Sequence, residues 1–452
     1  MAAELSPAGA RAAIESAFPP IRRELERLVR IPSVSAAGFD ARQVRRSAVV
    51  TAGWLRRSGF ADVRLLEVEG AHPAVYGAIR GPAGSPRILL YAHHDVQPPG
   101  RESLWDSPPF EPHERGGRLF GRGTADDKAG IAVHMAAVAA WAGRPPVDVA
   151  VFVEGEEETG SVHLPEFIRR YKELLAADAI VIADCSNWAI GEPTLITSLR
   201  GILDCTVEVR TLDHAVHSGK YGGPVPDALT ALCRLISTLH DADGAVAVKG
   251  LHTGPPHAIR VDPGDLRKAT GMLPEVRFLG GGPLSRQMWA APAVAVLGID
   301  APPVDGAAHK ILPWARAGLS VRLAPGDDAE RAFVALKAHL TVDPPWNARV
   351  TVTRDHYSAP HQVDASGPVF DAFRRACRDT WGRAPVEAGS GGSLPLIGPL
   401  AETYPDMALL LTGVDDPGSR AHAENESVHI GELQKCCVNE ALLLGYLAEG
   451  IS

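Results

Sequence analysis

The sequence predicts an α/β fold with a mixed, mainly parallel sheet flanked by helices, plus an inserted α+β domain. Strand-like and helix-like segments alternate along the first 200 residues, which is typical of a parallel sheet. The pattern changes near Leu199 and returns to the α/β type after His356. The length of 452 residues also exceeds the usual size of one hydrophobic core, so two domains are expected.

The first segment opens with two helices and continues with strands separated by Gly/Pro turns. Ile31-Pro32 ends the first helix, because the residue before a proline is pushed out of the α region. The predicted helices cover about 7–30, 41–58, 129–141 and 165–175, and the predicted strands cover about 63–68, 74–78, 88–91, 147–153 and 179–183.

The middle segment is predicted to form the inserted domain and the last segment to complete the first. Strands are expected at 202–210 and 319–322, with helices at 228–240 and 329–340. The final segment has a helix pattern at 369–381, a strand at 407–412 and a helix at 431–448. We therefore expect the domain boundaries 1–198, 199–356 and 357–452.

Composition and charge exclude several classes of protein. Apolar residues make up 45% and the net charge is −9, which argues against a nucleic-acid partner, since phosphate binding needs a clustered basic surface. No apolar run approaches the roughly 20 residues that cross a bilayer. The first 17 residues do not resemble a secretory signal. We expect a cytoplasmic protein with no membrane partner.

Acidic and histidine residues follow the predicted strands at the points where each strand ends. They are His93 with Asp95, the acidic stretch Glu154 to Glu158, Asp184, and the loop that contains His422. In open α/β sheets, ligands bind beyond the carboxyl ends of the strands, so these side chains are expected to meet. Asp126 opens a helix that would pack beside the same edge.

Two histidines and three carboxylates suit a pair of zinc ions, one carboxylate bridging them. Metals about 3.5–4 Å apart share a water, lower its pKa towards about 7 and polarise an amide carbonyl. A base is still needed to pass the proton from that water to the leaving amine. Adjacent glutamates, one a ligand and one free, would meet that need.

Four motifs stand in order along the chain: Tyr91–Pro98 (YAHHDVQP), Gly121–Lys128 (GRGTADDK), Glu157–Ser161 (EETGS) and His217–Gly219 (HSG). They resemble those of a known family, the M20 metallopeptidases, and most closely its cytosolic non-specific dipeptidases and carnosinases. The likeness runs from Ile31–Ser35 (IPSVS) to His422–Glu426 (HAENE). It implies a zinc-peptidase-like catalytic domain, a lid and dimerisation domain inserted into it, and a homodimer.

The resemblance also implies a role for each matching residue of the metal site. His93 and Asp184 would bind one Zn²⁺, Glu158 and His422 the other, and Asp126 would bridge them; Mn²⁺ or Co²⁺ could fill the same ligands. Glu157 would act as general acid/base. Asp95 would orient the His93 imidazole. The substrate would be a dipeptide or a similar small amide.

In the inserted domain the resemblance implies residues that hold the substrate. His217 would stabilise the oxyanion across the subunit interface. Arg322 would bind a substrate carboxylate, for which a guanidinium fork is well shaped. The Gly391, Gly392 and Ser393 loop would hold the C-terminal end of the peptide through backbone N–H groups.

Two other functions stay open on the sequence. The same metals would serve an N-acyl, for example N-succinyl, amino-acid amidohydrolase. Ser390, where the dipeptidase branch often has a nearby glutamate, leaves room for such a substrate. A catalytically silent dimeric binding module is the third hypothesis, although every predicted ligand and the base are present. The Gly121–Gly123 loop lacks the Lys-Ser/Thr of a phosphate-binding P-loop.

Overall fold

A computed structural model describes residues 5–392 and 394–450. The chain divides into two compact units. The first unit contains residues 1–197, 363–388 and 395–452, and the second contains 198–362 and 389–394. No helix among the described residues is both long enough and apolar enough to cross a membrane.

The strands are numbered in chain order through both units. They are β1 Asp62–Leu66, β2 Ala74–Ile79, β3 Arg87–His93, β4 His113–Arg115, β5 Arg118–Phe120, β6 Asp148–Glu154, β7 Ala179–Ile182, β8 Thr194–Leu199, β9 Gly201–Arg210, β10 Val216–His217, β11 Ala293–Asp300, β12 Lys310–Ile311, β13 Trp314–Leu323, β14 Arg349–Ser358, β15 His361–Gln362, β16 Val386–Ser390, β17 Ala408–Leu411 and β18 Ser427–His429.

The helices are numbered in the same way, and three short 3-10 helices lie at Glu102–Leu104, Glu157–Thr159 and Pro345–Asn347. The α-helices are α1 Pro7–Val29, α2 Ala41–Arg57, α3 Lys128–Ala140, α4 Leu164–Arg170, α5 Lys172–Leu175, α6 Ser218–Tyr221, α7 Ala228–Ser237, α8 Pro263–Thr270, α9 Leu284–Trp289, α10 Ala329–Thr341, α11 Pro368–Trp381, α12 Ile397–Thr403 and α13 Ile430–Gly450.

The first unit is built on a mixed sheet with the strand order β1-β2-β6-β3-β7-β17-β8. The four central strands, β6, β3, β7 and β17, are parallel to one another, and the strands on either side are antiparallel. The central strands are almost wholly buried, which is typical of parallel strands covered by helices on both faces. Helix α3 packs against β3 and lies against α1 and α13.

The second unit contains a four-stranded antiparallel sheet in the order β11-β13-β9-β14. Burial alternates along β9, so one face of this sheet is apolar and packs on helices α7 and α10. Leu203, Leu232, Leu319 and Leu336 are fully buried in this core. The unit therefore has its own hydrophobic core, as an α+β domain requires.

The predicted fold class is confirmed, with the parallel pairing confined to the four central strands. Most predicted elements are found within one or two residues of their expected bounds. The helix expected at 165–175 is two helices separated at Tyr171. Strands β8, β11 and β14 and the β4–β5 hairpin were not expected from the sequence, and β13 is ten residues long where four were expected.

Candidate metal centre

The carboxyl ends of three adjacent parallel strands bring acidic and histidine residues to one edge of the main sheet. His93 is the last residue of β3, and Glu154, directly opposite it, is the last residue of β6. Asp184 follows the end of β7 by two residues. Side chains from separate parts of the chain therefore meet at this edge, as the strand order dictates.

His93 lies at the centre of this group and is fully buried. Its Nε2 atom lies 3.0 Å from Oδ1 of Asp126, 3.7 Å from Oδ1 of Asp184 and 4.0 Å from Oε2 of Glu157. A single imidazole nitrogen thus faces three carboxylates that come from three different loops.

Asp126 presents its two carboxylate oxygens to two different histidines. Oδ1 faces His93, and Oδ2 lies 2.8 Å from Nε2 of His422. The same His422 nitrogen lies 3.2 Å from Oε2 of Glu158. Asp126 therefore lies between His93 on one side and the pair of His422 and Glu158 on the other.

The crowding of carboxylates shifts the pKa of several of these groups. Burial and then the negative charge of Asp184 raise the pKa of Glu157 well above its ordinary value. Burial and then Asp126 raise the pKa of Glu158 to about 7. Burial opposes a charge on His93, but Asp184 and the other carboxylates raise its pKa well above 6.5. The buried carboxylates of this group therefore repel one another.

The donor set fits divalent metal ions. His93, Glu157 and Asp184, and likewise His93, Asp126 and Glu158, each offer ligand atoms within 4.8 Å of one another. Imidazole nitrogen and carboxylate oxygen are ligands of zinc, and four such ligands about 2.1 Å from one ion lie about 3.4 Å apart. The nitrogen–oxygen distances given above, from 2.8 to 4.0 Å, lie on both sides of that value. A cation at this edge would also offset the repulsion among the buried acids.

Asp95 supports the site through hydrogen bonds. Its carboxylate accepts hydrogen bonds from the Ser35 hydroxyl at 2.7 Å and from the backbone N–H groups of Glu157 and Glu158 at 3.3 and 3.1 Å. Oδ1 of Asp95 lies 3.4 Å from Nδ1 of His93, whereas the backbone oxygen of Asp95 lies nearer, at 3.1 Å. Asp95 thus contacts the imidazole and fixes the 3-10 turn that carries both glutamates.

Gln97 holds Glu158 in place, a role that the sequence did not reveal. Its backbone N–H donates to Oε1 of Glu158 at 3.0 Å, and its side-chain amide donates to Oε2 at 2.8 Å and to the backbone oxygen at 3.1 Å. Gln97 belongs to the Tyr91–Pro98 motif, so its place in that motif was the available signal. Such contacts orient a metal ligand and tune its basicity.

Glu426 connects the loop of His422 to the loop of Asp126. Its carboxylate accepts hydrogen bonds from the backbone N–H groups of Gly123, Ala125 and Asp126 at 3.1, 2.9 and 3.2 Å. Arg122 donates to the same carboxylate at 2.6 Å, and both side chains are buried. The sequence offered one signal, the presence of Glu426 in the motif that begins at His422.

The remaining predicted site residues belong to the second unit. His217 is exposed, and its Nδ1 accepts a hydrogen bond from Gly219 N–H at 3.0 Å. Arg322 is half-buried in β13. Gly391 and Gly392 form a turn in which the N–H of Gly392 donates to Ser390 Oγ at 3.2 Å. Ser393 lies outside the described residues, so its predicted role is not tested.

Comparison with known proteins assigns the chain to a family. The model of peptidase family M20/M25/M40 matches residues 89–444. A cysteinylglycine-S-conjugate dipeptidase of Corynebacterium striatum is 34% identical over 390 residues, which are 82% of this chain and 85% of that protein. A β-Ala-His dipeptidase of Rattus norvegicus is 26% identical over 79% of this chain and 76% of its own length.

Solved structures share the fold over nearly the whole chain. A di-peptidase from Saccharomyces cerevisiae superposes with a TM-score of 0.84 at 23% identity, covering 100% of both chains. Human carnosine dipeptidase 1 superposes with a TM-score of 0.82 at 23% identity, covering 98% of this chain and 99% of that one. The resemblance inferred from the motifs is confirmed: the chain belongs to peptidase family M20/M25/M40 and is a metal-dependent peptide hydrolase.

Proposed function

We propose that this protein hydrolyses dipeptides at a centre of two divalent metal ions, with Glu157 as the general acid/base. The observation that carries the proposal is the position of Asp126, whose two carboxylate oxygens face two different histidines, His93 and His422. A carboxylate whose two oxygens face two imidazoles is an arrangement that suits two metal ions held close together. Relatives named as dipeptidases, which align over most of the chain, support a dipeptide substrate.

The proposed ligand sets are those that the resemblance implies, and the contacts of Asp126 with His93 and His422 support them. His93 and Asp184 would hold one zinc ion, Glu158 and His422 the other, and Asp126 both; Mn²⁺ or Co²⁺ would suit the same donors. When bound, such ions polarise an amide carbonyl and lower the pKa of a shared water. Gln97 and Asp95 hold these ligands in place through the hydrogen bonds described above.

Glu157 is the group that would move the proton. It lies in the 3-10 turn next to Glu158, which is a proposed ligand. Asp95 accepts hydrogen bonds from the backbone N–H groups of both glutamates and so fixes this turn. Burial and the charge of Asp184 raise its pKa, so Glu157 holds a proton more readily than an exposed glutamate does. In the proposed reaction it accepts a proton from the attacking water and donates it to the leaving amine.

The residues of the second unit would bind the substrate. We propose that His217 stabilises the oxyanion within a homodimer and that Arg322 binds the substrate carboxylate. Gly391, Gly392 and Ser393 would hold the C-terminal end of the peptide. The second unit would then act as a lid and dimerisation domain inserted into a catalytic domain, with boundaries near residues 198 and 356.

The test compares two adjacent glutamates. Glu157→Gln should lower kcat for dipeptide hydrolysis by at least about 100-fold, as expected for loss of a general base. Two metal ions per chain should remain bound to this variant. Glu158→Gln, the matched control, should lower the metal content. Full activity of Glu157→Gln, or loss of metal from that variant, would reject the assignment of Glu157 as the base.

A substrate panel separates the dipeptidase proposal from its neighbours. Dipeptides, N-acetyl and N-succinyl amino acids would be supplied to the zinc-loaded protein and to the protein treated with a chelator. We expect dipeptide cleavage only with metal. Cleavage confined to the acylated amino acids would support the amidohydrolase instead. Fewer than about one metal per chain with no hydrolysis of any substrate would support the silent binding module.

A further inference from the structure

Two arginines of the second unit lie at neighbouring backbone positions, Arg322 in its antiparallel sheet and Arg200 just before the sheet's strand β9. Arg322 of β13 pairs with Ile202 of β9, and Arg200 precedes Ile202 by two residues. Arg200 itself lies just before β9, whose first residue is Gly201, and so lies beside the backbone pair of Ile202 and Arg322. The positive charge of Arg322 lowers the pKa of Arg200, so the two arginines lie in one region of this unit.

Neither guanidinium has an acidic partner. Within residues 5–392 and 394–450, no Asp or Glu forms an ion pair with Arg200 or Arg322. Among the described residues, the buried Nε atom of Arg200 makes no hydrogen bond, and its Nη1 donates to the backbone oxygen of Gln287 at 3.5 Å. Burial, and then the positive charge of Arg322, lower the pKa of Arg200 to about 10. Among the described residues, neither guanidinium is thus in a direct ion pair with a carboxylate.

The glycine turn lies beside the Arg200 guanidinium. The backbone N–H of Arg200 donates to the backbone oxygen of Ser390 at 3.2 Å, which places the arginine beside the turn. A Cβ atom at Gly391 would lie 3.2 Å from Nη2 of Arg200. Any side chain at Gly391 would therefore crowd the guanidinium, so the glycine keeps room beside it.

We propose that Arg200 and Arg322 together form a binding site for the free C-terminal carboxylate of the substrate, with Arg200 as a second guanidinium that discriminates acids from amides. Leaving a charge buried and unpaired is costly, and a carboxylate offers two oxygens that accept hydrogen bonds from guanidinium forks. This proposal rests on the proposed dipeptidase function, in which Arg322 binds the substrate carboxylate.

The test compares a dipeptide with its C-terminal amide on the metal-loaded protein. Arg200→Gln should raise KM for the dipeptide about 10- to 100-fold, the loss expected for a charged hydrogen bond, and change kcat/KM for the amide by less than about threefold. Arg200→Lys keeps the positive charge but not the guanidinium fork, so its KM for the dipeptide should lie between those of wild type and Arg200→Gln. Arg349→Gln removes an exposed charge from β14 of the same unit and should behave as wild type on both substrates.

An equal loss on the dipeptide and its amide, or no loss on either, would overturn the proposal. Calorimetric binding of a dipeptide analogue with a reduced peptide bond, and of its amide, separates this site from the reaction. We expect wild type and Arg349→Gln to bind the acid at least tenfold more tightly than the amide, and Arg200→Gln to lose that preference. If dipeptides bind in this way but none is cleaved, the proposed function fails and the carboxylate site stands.

Discussion

Arg122 and Glu426 form a buried ion pair, with Nη1 2.6 Å from Oε2, between residues 304 positions apart in the sequence. The glutamate also accepts three backbone hydrogen bonds from the loop of Asp126. One carboxylate thus fixes the loop that carries Asp126 to the loop that carries His422. The geometry of the proposed bridge depends on this contact.

Glu426→Gln is expected to weaken metal binding although it changes the side chain of no proposed ligand. The amide cannot neutralise Arg122, and breaking a buried ion pair costs about 3–5 kcal/mol. Loss of such a supporting contact lowers metal affinity about 10- to 100-fold. Competition with a chromogenic chelator measures the affinity, and Glu424→Gln in the same loop is the control. Unchanged affinity in Glu426→Gln would show that the loops hold their positions without the ion pair.

Gln97→Met should affect one of the two proposed metals more than the other. The substitution keeps the backbone hydrogen bond to Glu158 but removes both side-chain hydrogen bonds. We expect about 10-fold weaker binding at the position held by Glu158 and His422, and little change at the position held by His93 and Asp184. Two-site titration with zinc measures this difference. Equal weakening at both positions would contradict the proposed division of ligands.

Gly413→Ala should distort the backbone beside Asp184. Gly413 pairs with Asp184 in an isolated bridge, and a Cβ at this position would lie 1.7 Å from the backbone oxygen of Cys185. The backbone must move, at a cost of about 1–3 kcal/mol or more, and Asp184 must move with it. Chemical denaturation and metal content measure the effects. Gly398→Ala, where the new Cβ meets open space, should leave both within error of wild type.

The His134–Glu440 pair predicts a pH-dependent stability that is independent of the metal centre. His134 Nδ1 lies 2.8 Å from Glu440 Oε1, and Nε2 donates to the backbone oxygen of Tyr91 at 2.9 Å. Burial alone would lower the pKa of His134, but the charge of Glu440 raises it above 6.5. A raised pKa stabilises the fold fully below pH 6.5, and this contribution is lost as pH rises through the folded-state pKa.

Glu440→Gln should therefore destabilise the protein more at pH 6 than at pH 9. The loss corresponds to about 1.4 kcal/mol for each unit by which the pair raises the pKa of His134. Urea unfolding midpoints at the two pH values measure it. Glu449→Gln, which removes an exposed partner of Arg375 from the same helix, is the control and should show no such difference. An equal loss at both pH values would mean that His134 is neutral in the folded protein.

The clustering of the proposed ligands was predictable because several of them follow strands whose order in the sheet is simple. His93 ends β3 and Asp184 follows β7, so the parallel pairing alone brings them together. The contacts of Glu426 were not predictable in this way, since a loop-to-loop hydrogen bond over 300 residues leaves no periodic signal. The edge strand β14 was missed because it is largely exposed and carries charged residues, so an alternation of apolar and polar residues does not stand out in its sequence.

The position of β17 also bears on how the protein is made. Residues 408–411 lie between β7 and β8 in the sheet, and His422 and Glu426 follow them. A chain still on the ribosome, with these residues unsynthesised, has a gap in its sheet and an acidic cluster without its second histidine. Because domains generally fold as units during synthesis, the first unit and its proposed metal centre can be completed only after residues 408–426 have emerged.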